Sequence, residues 1–160
     1  MLERITAFLD DIGLPTRAVP MTTDGFLPGV RVTAGVLEHD PIRLVSPGDL
    51  LHEAGHLALL GPLQRAACDG DLGTDGGMEM GAQAWSWAAL VHLGLDPKIV
   101  FHDEGYRGSA DALVAAFSDR RGPGVPILWW RGLTTAEQFP VMTRWLAETE
   151  WPSAVDEAID

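Results

Sequence analysis

Ser46-Pro47-Gly48-Asp49-Leu50-Leu51-His52-Glu53-Ala54-Gly55-His56-Leu57-Ala58-Leu59-Leu60-Gly61-Pro62 is the stretch on which the reading of this chain turns. It predicts a single buried helix. Ser46 stands as N-cap, Pro47 at the first helical position and Asp49 in the first turn, while Gly61-Pro62 reads as the stop. From Leu50 to Leu60 the only polar side chains are His52, Glu53 and His56, so the helix is apolar on nearly every side and belongs in a core. Residues i and i+4 share a helix face, so the imidazoles of His52 and His56 can converge on one metal ion. Glu53 then lies beside the ion, within reach of a metal-bound water. Burying these three groups unpartnered is costly, and a metal with its water would satisfy all of them. Core hydrogen bonds to the two imidazoles are the plainer alternative.

The rest of the composition bounds the setting. At 160 residues, 46% apolar and 21% charged, the chain reads as one globular domain over 1–160. Its parts are an N-terminal helix and sheet over 1–45, metal-site helices over 46–94 and a C-terminal helical part over 95–160. A net charge of −12 argues against nucleic acid or an anionic membrane as partner, since phosphate binding needs a basic footprint. Solubility is the simple reason for such acidity, and a taste for cationic peptides the functional one. Met1–Asp11 reads as an acidic amphipathic helix with Leu2, Ile5, Phe8 and Leu9 on one face, without the basic start and continuous apolar run of a signal peptide. Cys68 is the single cysteine, which excludes an intrachain disulfide and fits a small apolar residue. No apolar run reaches membrane length, and a cytoplasmic protein is expected.

Along the chain, Gly13–Gly25 reads as irregular. Val30, Val32 and Ala34 alternate with Arg31 and Thr33, which predicts a strand within Phe26–Glu38. His39-Asp40-Pro41 reads as a turn, with His39 solvated, and Ile42–Val45 as a second short strand completing a hairpin or meander. Cys68–Gly77 is a flexible acidic loop; Asp69-x-Asp71 lacks the further ligands of a calcium loop. A second long helix is expected over about Met78–Leu93, closed by Gly94. Asp96-Pro97 caps a short helix through Phe101, Ser109 caps a helix over Ala110–Ser118, and Arg121–Gly124 breaks the chain before Val125–Trp130. Thr134 with Glu137 forms a capping box for a C-terminal helix to about Glu148. The sum is α+β, a small antiparallel sheet followed by helices.

A catalytic zinc takes three protein ligands and keeps a position open. Glu79 is the first candidate for the third, at the start of the second long helix and 23 residues beyond His56. An acidic first turn also suits the helix dipole without any metal. Gln83, one turn on, would hydrogen-bond the ligand. Asp75 in the preceding loop is the runner-up. His92 lies too far along the helix to share the ion.

With these residues in view, His52-Glu53-Ala54-Gly55-His56 in an apolar helix resembles the zincin metallopeptidases, and a Glu on the following helix resembles their gluzincin branch. The resemblance covers about Ser46–Leu93 and implies a zincin-like core with His52, His56 and Glu79 as ligands of Zn²⁺ and Glu53 as base. Ala82-Gln83-Ala84-Trp85 also resembles the ImmA/IrrE-like peptidases, whose ligand Glu is followed directly by Ala, whereas here Gly81 precedes Ala82. The metzincin pattern fails at Leu59 and Pro62. Deformylases need a Cys upstream of the histidines, and Gly73-Thr74-Asp75 is one residue short of the aspzincin signature.

The chemistry this implies is hydrolysis of a peptide or protein substrate. Glu53 would take a proton from the activated water and deliver it to the leaving amine. Tyr106 and His102, in the stretch Phe101–Gly108, are the candidates to steady the oxyanion. Trp129-Trp130 is the best candidate for an exposed recognition surface, whereas Trp85, Trp87, Trp145 and Trp151 fit a core. The competing readings are a non-catalytic regulatory or binding protein with a structural metal, and a helical domain with no metal.

Overall fold

The computed structural model describes residues 1–153 except 24, 26, 71, 73, 74, 107 and 108. The starting residue Phe26 of the expected first strand, Asp71, Gly73-Thr74 and Arg107-Gly108 therefore lie outside the described residues. The amphipathic N-terminus forms α1 (Leu2–Asp11), burying Ile5, Phe8 and Leu9. The helix carrying the two histidines is α2 (Asp49–Leu59). It is followed by α3 (Pro62–Ala67) and the long α4 (Gly76–Leu93). A 3-10 turn (Pro97–Ile99), α5 (Asp103–Tyr106), α6 (Ala110–Ser118) and α7 (Val125–Trp130) complete the helices among the described residues. The class is α+β.

The sheet differs from the expected hairpin. Strands β1 (Thr16–Ala18), β2 (Val30–Thr33) and β3 (Val36–His39) form one three-stranded sheet in the order β1-β3-β2. β2 pairs antiparallel with β3, but β1, in the segment read as irregular, pairs parallel with it, so the sheet is mixed. The span read as one strand is in fact two, folded at Ala34-Gly35, where both residues take positive φ, as a tight two-residue hairpin turn requires. The alternation was right over Val30–Thr33, with Val30 and Val32 buried and Arg31 exposed. Ile42–Val45 forms no strand; it is a turn in which Ile42 is almost fully exposed. His39 is not solvated either: it ends β3, buried, with Nδ1 lacking a partner among the described residues.

The core lies where α1, α2 and α4 meet, and α2 packs chiefly on α4. Phe8, Trp85 and Trp145 interlock there, with ring centroids 5.0 Å apart for Phe8–Trp145 and 5.5 Å for Trp85–Trp145. The helices can approach closely because Gly55 faces Ala82: a Cβ at Gly55 would stand 2.7 Å from the Ala82 carbonyl oxygen. Ser86 Oγ donates to Ala82 O and also reaches Leu51 O at 3.2 Å, tying the two helices.

The ends of α2 show how a buried helix satisfies its terminal backbone groups. Its C-terminal carbonyls are taken by Arg65, at 2.8 Å from Leu60 O, by Arg131, at 3.0 Å from Leu59 O, and by Ala147 N, at 2.9 Å from Ala58 O. Two cations here also suit the helix dipole. At the N-terminus Gly48, not Ser46, is the cap; Ser46 Oγ is drawn away to donate to Ile99 O.

The expected helix over Thr134–Glu148 is absent, and the segment runs as turns and extended chain. Pro140 stands in the middle of that span, where it lacks an N–H and clashes with the preceding turn. Thr134 Oγ1 instead donates to Val141 O. Gly94 ends α4 as expected, though the helix starts at Gly76, two residues early. Asp96 caps through Lys98 N, but the segment expected to be helical through Phe101 is a 3-10 turn ending at Ile99. Pro62, read as a stop, opens α3. Ser109 precedes α6 but makes no side-chain cap, donating to Tyr106 O. Among the described residues no helix is long and apolar enough to cross a membrane.

Candidate metal centre

α2 and α4 together bring three side chains to one point. His52 and His56, one turn apart on α2, turn their Nε2 atoms to within 3.3 Å of each other. Glu79 reaches them from the first turn of α4, with Oε2 3.0 Å from His56 Nε2 and 3.4 Å from His52 Nε2. The histidines are buried, whereas the Glu79 side chain is 43% exposed, so the group opens to solvent on the glutamate side. Asp75 is committed elsewhere: its Oδ1 accepts from Gly77 N at 2.8 Å and Met78 N at 3.0 Å, capping α4. Gln83 Nε2 donates to Glu79 Oε1 at 3.3 Å, the outer contact its spacing predicted.

Two-centre hydrogen bonds leave one edge of this triangle without a hydrogen. Each Nε2 has one bonding direction, either a hydrogen or a lone pair, and a carboxylate oxygen only accepts. If both imidazoles donate to Glu79, the two Nε2–H groups oppose each other at 3.3 Å. If one donates to the other, a contact with Glu79 is left without its hydrogen. A cation at the centre satisfies all three at once. Ligand atoms about 2.0–2.1 Å from a tetrahedral zinc are separated from one another by roughly 3.3 Å, and the three distances bracket that value. Two imidazole nitrogens and a carboxylate oxygen are also a donor set that zinc accepts.

The electrostatics favour a positive charge. Burial pushes His52 towards its neutral form, but the hydrogen bond and charge of Glu79, with the charges of Glu53 and Asp49, outweigh it, and its pKa is raised. Burial likewise pushes Glu79 upward, yet the two imidazoles hold its carboxyl far below the usual carboxylate range. Glu53, half-buried on α2, stands close enough for its charge to act on His52, Tyr106 and Cys68. Burial and the charges of Glu53 and Asp69 push the Cys68 thiol up to about 11, which leaves it unreactive at neutral pH.

Tyr106 and His102 both line a cavity of about 100 Å³ beside the triad, together with Asp49, His52, Glu79 and Val100. Each is anchored to α2. The Tyr106 hydroxyl lies 3.0 Å from His52 Nδ1, and His102 Nε2 lies 2.8 Å from Asp49 Oδ1. Tyr106 thus stands behind a candidate ligand as well as on the cavity wall. Asp49 was not singled out for the site; a buried acid three residues before His52 was the available signal. His92 is remote, its ring packed on Phe8 and Trp145. Trp129 and Trp130 are exposed on α7, with Arg131 over the Trp130 ring.

No family model, curated protein or solved structure matches the chain.

Proposed function

We propose that the chain is a zinc-dependent peptidase with a zincin-like core. The observation that carries the reading is the triangle of His52 Nε2, His56 Nε2 and Glu79 Oε2, with edges of 3.3, 3.0 and 3.4 Å. His52, His56 and Glu79 would hold the ion and leave its solvent side open. Bound zinc supplies a polarised water and a Lewis acid for the substrate carbonyl. Glu53 takes the proton of that water as it attacks and passes it to the leaving nitrogen. Tyr106, on the cavity wall, would donate its O–H to the oxyanion, and His102, whose Nε2 faces Asp49, would do so through a protonated Nδ1. A cytoplasmic location is part of the proposal and rests on the lone, unreactive Cys68.

The cavity of about 100 Å³ beside the triad would take the scissile group. The second reading is a regulatory or binding protein in which the metal is structural. Hydrolysis of a peptide library by the zinc-loaded protein separates the two. The proposal expects cleavage that Glu53→Gln lowers by roughly 100-fold or more while zinc content stays unchanged. Full zinc occupancy without any cleavage would favour the second reading.

A further inference from the structure

A histidine that binds a metal through Nε2 must carry its hydrogen on Nδ1, and a buried Nδ1–H needs an acceptor. The two histidines of this centre differ in that respect. His56 Nδ1 is buried with no partner among the described residues, whereas His52 Nδ1 faces the Tyr106 hydroxyl at 3.0 Å. We propose that Tyr106 is the positioning residue of the metal centre, its phenol oxygen accepting the Nδ1 hydrogen of His52 so that Nε2 is presented bare to the ion. This rests on the metal reading above and adds a residue whose effect is on metal affinity.

The placement of Tyr106 is built into the fold. The segment from the 3-10 turn through α5 docks along the first turn of α2 at several points. Ser46 Oγ donates to Ile99 O, and the Ile99 carbonyl lies where a Cβ at Gly48 would stand. His102 meets Asp49, and one turn later on both segments Tyr106 meets His52. Phe101, fully inside the core, packs its ring 5.3 Å from that of Tyr106. The phenol is thus held at its position by packing on one side and by the imidazole on the other.

A hydroxyl differs from the carboxylate or carbonyl that more often stands behind a ligand histidine. It can either accept or donate. With the ion bound, Tyr106 accepts from Nδ1–H; with the ion gone and the hydrogen on Nε2, facing Glu79, the same hydroxyl turns and donates to Nδ1. Both states keep His52 satisfied, which suits a centre that gains and loses its ion reversibly.

The test is the zinc dissociation constant of wild-type and Tyr106→Phe proteins, measured by competition with a chromophoric chelator at fixed pH. The expected result is a 10–100-fold weaker constant for the variant, the range typical of losing such a partner, with the metal-free protein still folded and its melting temperature lowered only by the few degrees that one lost hydrogen bond costs. An unchanged constant would overturn the proposal. Wild-type protein that takes up no zinc would defeat instead the functional reading beneath it. Should Tyr106→Phe fail to fold, nitrogen-15 spectra of zinc-loaded wild-type protein decide the matter. A His52 hydrogen on Nδ1, slow to exchange with water, supports the assignment, and rapid exchange there overturns it.

Discussion

Glu79 is the most exposed of the three and the one carboxylate among them, so it is the residue whose loss tells most. On the proposed reading, removing it would leave the ion two imidazoles and no anionic ligand. Glu79→Ala is expected to weaken zinc binding beyond the roughly 10–100-fold that an outer partner is worth. Gln83→Ala, which loses only the contact to Glu79 Oε1, is expected to fall within that range. A competition titration on the two variants checks the order. Away from the metal, Glu38 on β3 is buried beneath Arg17 and Arg31 and also accepts from Thr33 at 3.0 Å. Burial alone would raise its pKa, but these partners lower it from 4.5 to about 2. A carboxylate lowered on folding stabilises the native state above its unfolded pKa, and that contribution is lost as pH falls towards the folded value. Glu38→Gln is therefore expected to be less stable than wild type at pH 7, with the gap closing between about pH 4.5 and pH 2 in denaturant melts. At this scale the sequence was partly legible. The His52/His56 pair and Gln83 follow from helical period. Asp49 with His102, and Tyr106 behind His52, join positions more than 50 residues apart in the chain, and no periodicity reports such a meeting.

α2 and α4 hold the site as a pair, and their separation is set at Gly55. A methyl group there would meet the Ala82 carbonyl oxygen at 2.7 Å and its Cα at 2.9 Å, both backbone atoms that cannot swing aside. Gly55→Ala should push the helices apart, cost about 1–3 kcal/mol in overpacking and carry Glu79 away from the histidines. Thermal melts and zinc titration of the same variant read the two effects together. A variant that melted lower yet bound zinc as wild type does would show that the helix spacing leaves the triad untouched. The helices were readable because caps, stops and apolar content agree along each of them. Strands were harder. Ala34 supports the alternation of Val30 and Val32 as if the strand continued, and only the backbone reveals that it has positive φ and turns the chain. β1 has three residues, too few for any period to register. The capping box at Thr134 and Glu137 was outweighed by Pro140, six residues further on.

For the molecule as a whole, a cation binding only the folded state couples metal to stability. With zinc at about 100 times its dissociation constant the gain is roughly 2.7 kcal/mol, so a strong chelator should lower the melting temperature by several degrees, reversibly on adding zinc back. The net charge of −12 works in the same direction, since the folded chain concentrates carboxylates and a divalent cation relieves part of their repulsion. Class and approximate helix order were legible at this scale because burial of an apolar helix among others leaves few arrangements. How the elements close on one another depended on contacts such as Arg65 and Arg131 at the end of α2, which local pattern does not encode. The most direct test is a crystal structure of the protein soaked in zinc, with anomalous data collected on both sides of the zinc edge. The account predicts one strong peak about 2.0–2.2 Å from His52 Nε2, His56 Nε2 and a Glu79 oxygen. A peak elsewhere, or none with the two rings turned apart, would contradict it.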